Sequence, residues 1–230
     1  MKWITPIVMV FLISSSFVVA FCAGAPEPYL CSSCFIGELK LIDNPDDPRT
    51  KILDADLRFI DRDNAAWLAG KGDVTDGASI PELFQPIIGG RWEADYLPAA
   101  VMHDHYTNIK HLVRTWWDTD RMFYQAMLVK DVSFIKASVM YYAVYVFGPH
   151  WGELQPGEPC GPNCTYIRKN EITTAYQAAD YNLSHMPELK EVQQQITDAA
   201  LRGVPLTLRH LESLADKKHR DNPFLRTRKK

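Results

Sequence analysis

His103-Asp104, followed by Tyr106 and by a further acid at Asp120, are the residues of this 230-residue chain whose types and order best suit chemistry. A histidine that donates one ring N–H to a carboxylate is held in one tautomer, and its other nitrogen can take a proton from water. Trp116, Asp120, Phe123 and Met127 follow the i, i+4, i+7, i+11 spacing of one helical face, so the acid stands in an apolar stripe. Burying a carboxylate is costly without a hydrogen-bonding partner. His103 lies on the small-residue face Ala99, Ala100, His103 of the preceding helical segment, where the alanines permit close approach. His103 and Asp120 are therefore read as a catalytic general-base dyad. The same pair would equally serve as a structural buried His–Asp bond.

Asp104 points about 100° around the helix from His103, toward a cation beside the imidazole rather than toward the ring itself. Asp76-Gly77 offers a second carboxylate and a glycine free to turn its carbonyl inward, an oxygen set suited to calcium. The competing reading of Asp76 is an Asx turn or helix cap ahead of Ile80-Pro81. Asp104 and Asp76 are thus the expected metal ligands, and calcium the expected cofactor. Zinc is disfavoured here, because His103 and His105 diverge by about 200° on a helix and His111 stands about 12 Å of helical rise from His103. His105 reads as a rim residue. Ser79, Tyr106 and Tyr141 are the expected substrate contacts.

Positioning these residues calls for short strands followed by helices. Glu38 to Ile42, Ile52 to Ile60 and Ala66 to Leu68 are β-type runs separated by turn clusters such as Asn44-Pro45-Asp46-Asp47-Pro48, which predicts a small antiparallel meander. Apolar periodicity predicts helices near Ala94 to Thr107, Thr115 to Lys130 and Ser133 to Phe147. The third has Lys136 as its only charge, the mark of a buried helix, although its tyrosines could line a mouth. Weaker helical patterns follow at Ile172 to Tyr181, Glu188 to Leu201 and Leu206 to Ala215. The fold class expected is α+β, a small N-terminal meander packed on three core helices with peripheral C-terminal helices. Its divisions are residues 26–165 as the core with cysteine-bearing flanks, 166–216 as a helical extension and 217–230 as a basic, disordered tail. That tail holds seven Lys or Arg against one Asp, in a chain whose formal charge is −3. So weak a charge excludes the basic field a nucleic-acid binder needs.

Lys2, the apolar run Ile4 to Phe21 and the small residues Ala23-Gly24-Ala25 read as a signal peptide over residues 1–25, with an uncleaved membrane anchor as the alternative. Cleavage there would send the chain to the periplasm or outside the cell and leave Cys31, Cys34, Cys160 and Cys164. An oxidising compartment favours two disulfides, whose pairing stays open among three patterns, over a tetrahedral zinc site built from the same four thiolates.

The stretch from about Phe35 to Trp151 resembles a family of phage and bacterial proteins catalogued as domain of unknown function 1353. The likeness rests on Thr75-Asp76-Gly77-Ala78-Ser79-Ile80-Pro81, on Ala99-Ala100-Val101-Met102-His103-Asp104 with Tyr106, on Arg114 ahead of Asp120 and Phe123, and on Met140-Tyr141 through Phe147-Gly148. It implies a shared fold and a shared site. His103-Asp104 with Tyr106 and a later helical Asp is also similar to the helical core of secreted phospholipase A2 enzymes. That resemblance implies His103 as general base, Asp104 as calcium ligand and Asp120 as the acid that orients the histidine, with Asp76 as an added ligand. The resulting expectation is an exported hydrolase acting on membrane lipid or another cell-envelope ester or amide. The rival is a non-enzymatic envelope or phage-related binding or assembly module, in which the same residues are structural.

Overall fold

Two short antiparallel sheets, interleaved along the chain, precede the helices. The structure is a computed structural model and describes residues 31–78, 89–152, 159–161, 164–165 and 176–227. One sheet has the order β1-β4-β5, from Cys34–Ile36, Leu57–Ile60 and Ala66–Ala69; the other has the order β2-β3-β6, from Leu41–Asp43, Lys51–Leu53 and Val74–Thr75. The class is α+β as expected, but the strands form two sheets instead of one meander. The run from Ile52 to Ile60 is split because Asp54-Ala55-Asp56 interrupts its apolar pattern. Lys71 holds both acids, its Nζ on Asp54 Oδ1 at 2.9 Å and its backbone N–H on Asp56 Oδ1 at 2.9 Å.

Alternation of side chains turns Leu57, Phe59, Trp67 and Ala69 inward, where all four are buried, and Phe59 pairs in register with Trp67. The turn between β4 and β5 is built on Asp61, whose carboxylate accepts from the N–H groups of Asp63 and Ala65 and from Trp67 Nε1 at 2.8 to 2.9 Å. A free strand edge presents unpaired backbone groups. On β5 the Leu68 N–H donates to the Tyr106 hydroxyl at 2.9 Å, and the Ala66 carbonyl accepts from Arg114 Nη2 at 3.0 Å. Side chains from the helical layer thus complete the edge.

The helical layer begins with α1 (Leu97–Thr107), α2 (Trp116–Val129) and α3 (Phe134–Phe147). Thr115 and Ser133 cap α2 and α3, each accepting from a backbone N–H in the first turn. α3 is buried along nearly its whole length because α2 packs on one side and two later helices on the other. These are α4 (Met186–Leu201) and α5 (Leu208–Lys218), followed by the short α6 (Pro223–Thr227). They are not peripheral. Leu189, Val192 and Ile196 form one buried stripe of α4, and with Leu211, Ala215 and Leu225 they join the same core as the sheets. The basic segment read as a free tail is therefore folded through Thr227, with Leu225 as its anchor.

Part of the pattern read as a helix from Ile172 to Tyr181 is a strand, since Tyr176–Gln177 pairs antiparallel with His150–Trp151; residues 172–175 lie outside the described residues. Cys31 and Cys34 form a disulfide within the N-terminal arm, while the side chains of Cys160 and Cys164 lie outside the described residues. The expected signal peptide over residues 1–25 also lies outside them. Among the described residues no helix is long and apolar enough to cross a membrane.

Glu188 ties the C-terminal helices to α3, accepting from the Tyr142 hydroxyl at 2.5 Å and pairing with His219 Nε2 at 2.8 Å. Burial alone would raise its pKa, but the hydrogen bonds from His219 and Tyr142 outweigh burial and hold it below the ordinary 4.5. A carboxylate with a lowered folded pKa stabilises the fold above its unfolded value and loses that contribution as pH falls through the folded one. Urea midpoints measured against pH should therefore show Glu188→Gln less stable than wild type at neutral pH. The gap should close as the pH falls below 4.5.

Candidate functional site

α1 and α2 meet at a polar pair inside an otherwise apolar seam. His103 Nε2 lies 2.9 Å from Asp120 Oδ1, with both side chains buried. Ala99 and Ala100 are themselves buried beside His103, and Phe123 covers the imidazole with ring centroids 4.9 Å apart. Burial pushes the Asp120 carboxyl up from its usual value, and the hydrogen bond from His103 opposes the rise. With Nε2 engaged, Nδ1 has no hydrogen-bond partner among the described residues, and the side chain keeps 8% of its surface exposed. The second Asp120 oxygen, Oδ2, is buried and has no hydrogen-bond partner among the described residues.

Asp104, the next residue on α1, faces strand β6. Thr75 Oγ1 donates to Asp104 Oδ2 at 2.5 Å and accepts from the Gly77 N–H at 3.0 Å, so one hydroxyl joins the loop at Asp76 to the helix. The Asp76 backbone N–H also bonds the Asp104 carboxyl. Burial and then the charge of Asp76 push Asp104 well above the usual carboxylate range, against the opposing effects of Thr75, the Asp76 N–H and Arg91. Gly77 has φ +75°, and a Cβ there would stand 2.7 Å from the Arg91 carbonyl and 3.1 Å from the Trp92 ring. The loop turns as tightly as it does because this position is glycine. The loop at Asp76 and the Asp104 carboxyl on α1 thus meet through the Asp76 backbone N–H and through Thr75. Ser79, expected to touch substrate, lies outside the described residues.

Tyr106 and Tyr141, expected to touch substrate, bond other groups of the protein instead. The Tyr106 hydroxyl accepts from Leu68 on the sheet edge, and its ring packs edge-on against Trp67. The Tyr141 hydroxyl donates to Glu212 Oε1 at 2.7 Å, beside the bidentate pair Arg121–Glu212, and the residue is fully buried. Both are scaffold residues, because a buried phenol needs a partner and each finds one inside the protein. His105 turns away from the dyad toward Asp73, with Nδ1 2.7 Å from Asp73 Oδ2.

Two residues near the dyad escape a reading by sequence spacing. His150 is buried, its Nε2 donating to the Tyr145 carbonyl at 3.0 Å, and burial lowers its pKa while Asp120 opposes the shift. Tyr181 comes from the C-terminal segment, and its phenol is held far above the usual tyrosine range by burial and then by the charges of Asp120, Asp104 and Asp76. No periodicity joins Tyr181 to α1, so only the docking of the C-terminal segment reveals it.

A family model described as protein of unknown function (DUF1353) matches residues 52–144, a span that contains Asp76, His103, Asp104 and Asp120. The uncharacterized protein y4iH of Sinorhizobium fredii is 39% identical over 209 residues, which cover 90% of this chain and 85% of that protein. The chain belongs to the DUF1353 family. A second relative from the same bacterium, the uncharacterized protein y4jT, is 39% identical over 143 residues, or 58% of this chain and 42% of the relative. No solved structure matches the chain. The family span carries the dyad and the Asp76 loop, whereas Tyr181 and Glu212 lie beyond it.

The geometry assigns the ring proton of neutral His103 to Nε2. Because Asp120 Oδ1 accepts, Nε2 carries the hydrogen and Nδ1 the lone pair in the neutral ring. Nitrogen NMR of His103 at neutral pH should show the Nε2–H tautomer, and Asp120→Leu should restore a mixture of the two tautomers.

Proposed function

We propose that this DUF1353 protein is an exported hydrolase that uses His103 as a general base beside a divalent cation, acting on phospholipid or another cell-envelope ester or amide. The observation that carries the reading is the 2.9 Å contact between His103 Nε2 and Asp120 in a dry seam, with Nδ1 left available. A base held this way keeps its lone pair aimed in one direction, which is what proton abstraction from a positioned water needs. His103 takes the water proton at Nδ1 as the oxygen attacks the carbonyl, and returns it to the leaving alcohol or amine as the bond to that group breaks. Asp120 stabilises the imidazolium that forms in between.

Asp104 and Asp76 would hold the cation. Their carboxyls are close enough for one charge to act strongly on the other, and a hard divalent ion bound by oxygen offsets that repulsion. Calcium suits such a pair, and when bound it would supply positive charge to the oxygen that becomes negative during attack. Thr75 fixes the Asp104 carboxyl and Gly77 the loop, so the ligands need little reorganisation. Cys31–Cys34, joined as a disulfide, is consistent with export to an oxidising compartment.

Hydrolysis of phospholipid vesicles with and without calcium tests this reading. His103→Asn, shown to be folded by circular dichroism, should lose turnover by about a hundredfold or more, and Asp104→Asn should abolish calcium heat in a calorimetric titration. Unchanged turnover in His103→Asn would remove the imidazole from the reaction. Together with an absence of calcium binding, that result would favour a non-enzymatic module.

A further inference from the structure

α1 ends in a second histidine cluster that the dyad does not use. On an unbroken helix His111 would rise away from His105, but α1 stops at Thr107 and Asn108 adopts an extended ψ of 126°. Asn108 then closes a tight turn. Its Oδ1 accepts from the Lys110 N–H at 3.0 Å, and its carbonyl accepts from the His111 N–H at 2.7 Å. The turn folds His111 back over His105, with ring centroids 4.4 Å apart and planes 23° from parallel. Asp73 arrives from the turn between β5 and β6, where its Oδ2 accepts from the Gly70 N–H at 2.6 Å and lies 2.7 Å from His105 Nδ1. One ligand-capable atom from each of the three residues lies within 4.8 Å of the other two. His111 Nδ1 is buried with no hydrogen-bond partner among the described residues. A ring nitrogen withdrawn from water without a partner is costly, so a group that engages it there is favoured.

We infer that Asp73, His105 and His111 form a binding site for a divalent first-row transition metal, with zinc as its representative. Two imidazole nitrogens and one carboxylate oxygen are a borderline donor set, distinct from the all-oxygen pair Asp76 and Asp104. Three protein ligands leave the fourth tetrahedral position to water. Nearly parallel rings cannot aim their in-plane lone pairs at one ion, so binding turns the imidazoles out of their stack. All three residues are only partly buried, which leaves room for that rotation. The metal would replace the Asp73–His105 hydrogen bond and join the β5–β6 turn, the end of α1 and the loop after it. Because His105 and His103 diverge around α1, this site is separate from the dyad and does not depend on the hydrolase reading.

Zinc titration of the untagged, oxidised full-length protein by calorimetry and thermal melting tests the inference. Wild type should bind one zinc per chain and melt at a higher temperature in its presence. Cobalt in place of zinc should give visible d–d absorption without a thiolate charge-transfer band, which separates this site from one made by the cysteines. His111→Ala and His105→Asn should each weaken binding by roughly tenfold or more, while Asp104→Asn should bind zinc as wild type does. No saturable zinc binding, undiminished binding in both folded histidine variants, or a thiolate band in the cobalt spectrum would overturn the site. His111 lies in a partly exposed loop, so His111→Ala serves should His105→Asn fail to fold.

Discussion

A carboxylate buried between two helices needs a hydrogen bond to remain there, and in this protein His103 supplies it to Asp120. That one requirement orders much of the architecture around it. The alanines on α1 allow the helices to approach, Phe123 closes over the ring, and the stripe of Trp116, Phe123 and Met127 dries the seam. With less of this packing water would reach Asp120, and the His103 contact would contribute less, because hydrogen bonds strengthen as the local dielectric falls.

The same economy of buried polar groups recurs at the periphery of the seam. Glu212, almost fully buried, is held by Arg121 and Tyr141, and Glu188 by Tyr142 and His219, so α4 and α5 each dock through an acid as well as through leucines. These ties fix which face of α4 and α5 meets α3, whereas the apolar stripes alone would permit sliding. They also bring Tyr181 near the three aspartates Asp76, Asp104 and Asp120. The C-terminal segment therefore takes part in the environment of the candidate site, although the matched family span ends before it.

Strand β6 and helix α1 form the second organising contact. Thr75 meets Asp104 and, two residues earlier, Asp73 meets His105, so neighbouring positions of one strand-turn segment hold neighbouring positions of one helix. Polar chemistry is thereby divided between two places. An all-carboxylate pair lies beside the dyad, and a mixed histidine and carboxylate cluster lies at the helix end.

Much of this was legible from residue order. Helical spacing located α1, α2 and α3 to within three residues at either end, placed Asp120 in a buried stripe, and named His103 as its partner, because 3.6-residue periodicity is a local property that a sequence displays directly. What lay beyond it depended on long-range contact. The split of the strands into two sheets follows from which edges meet, and the internal roles of Tyr106 and Tyr141 follow from partners at Leu68 and Glu212 that no spacing connects to them. Continuous helical rise separates His111 from His103, but the turn at Asn108 brings His111 back onto His105. Local pattern thus determined the helices and the dyad. Tertiary packing decided the sheet pairing, the partners of the buried tyrosines and the second cluster, since each requires distant parts of the chain to satisfy one another's polar groups away from water.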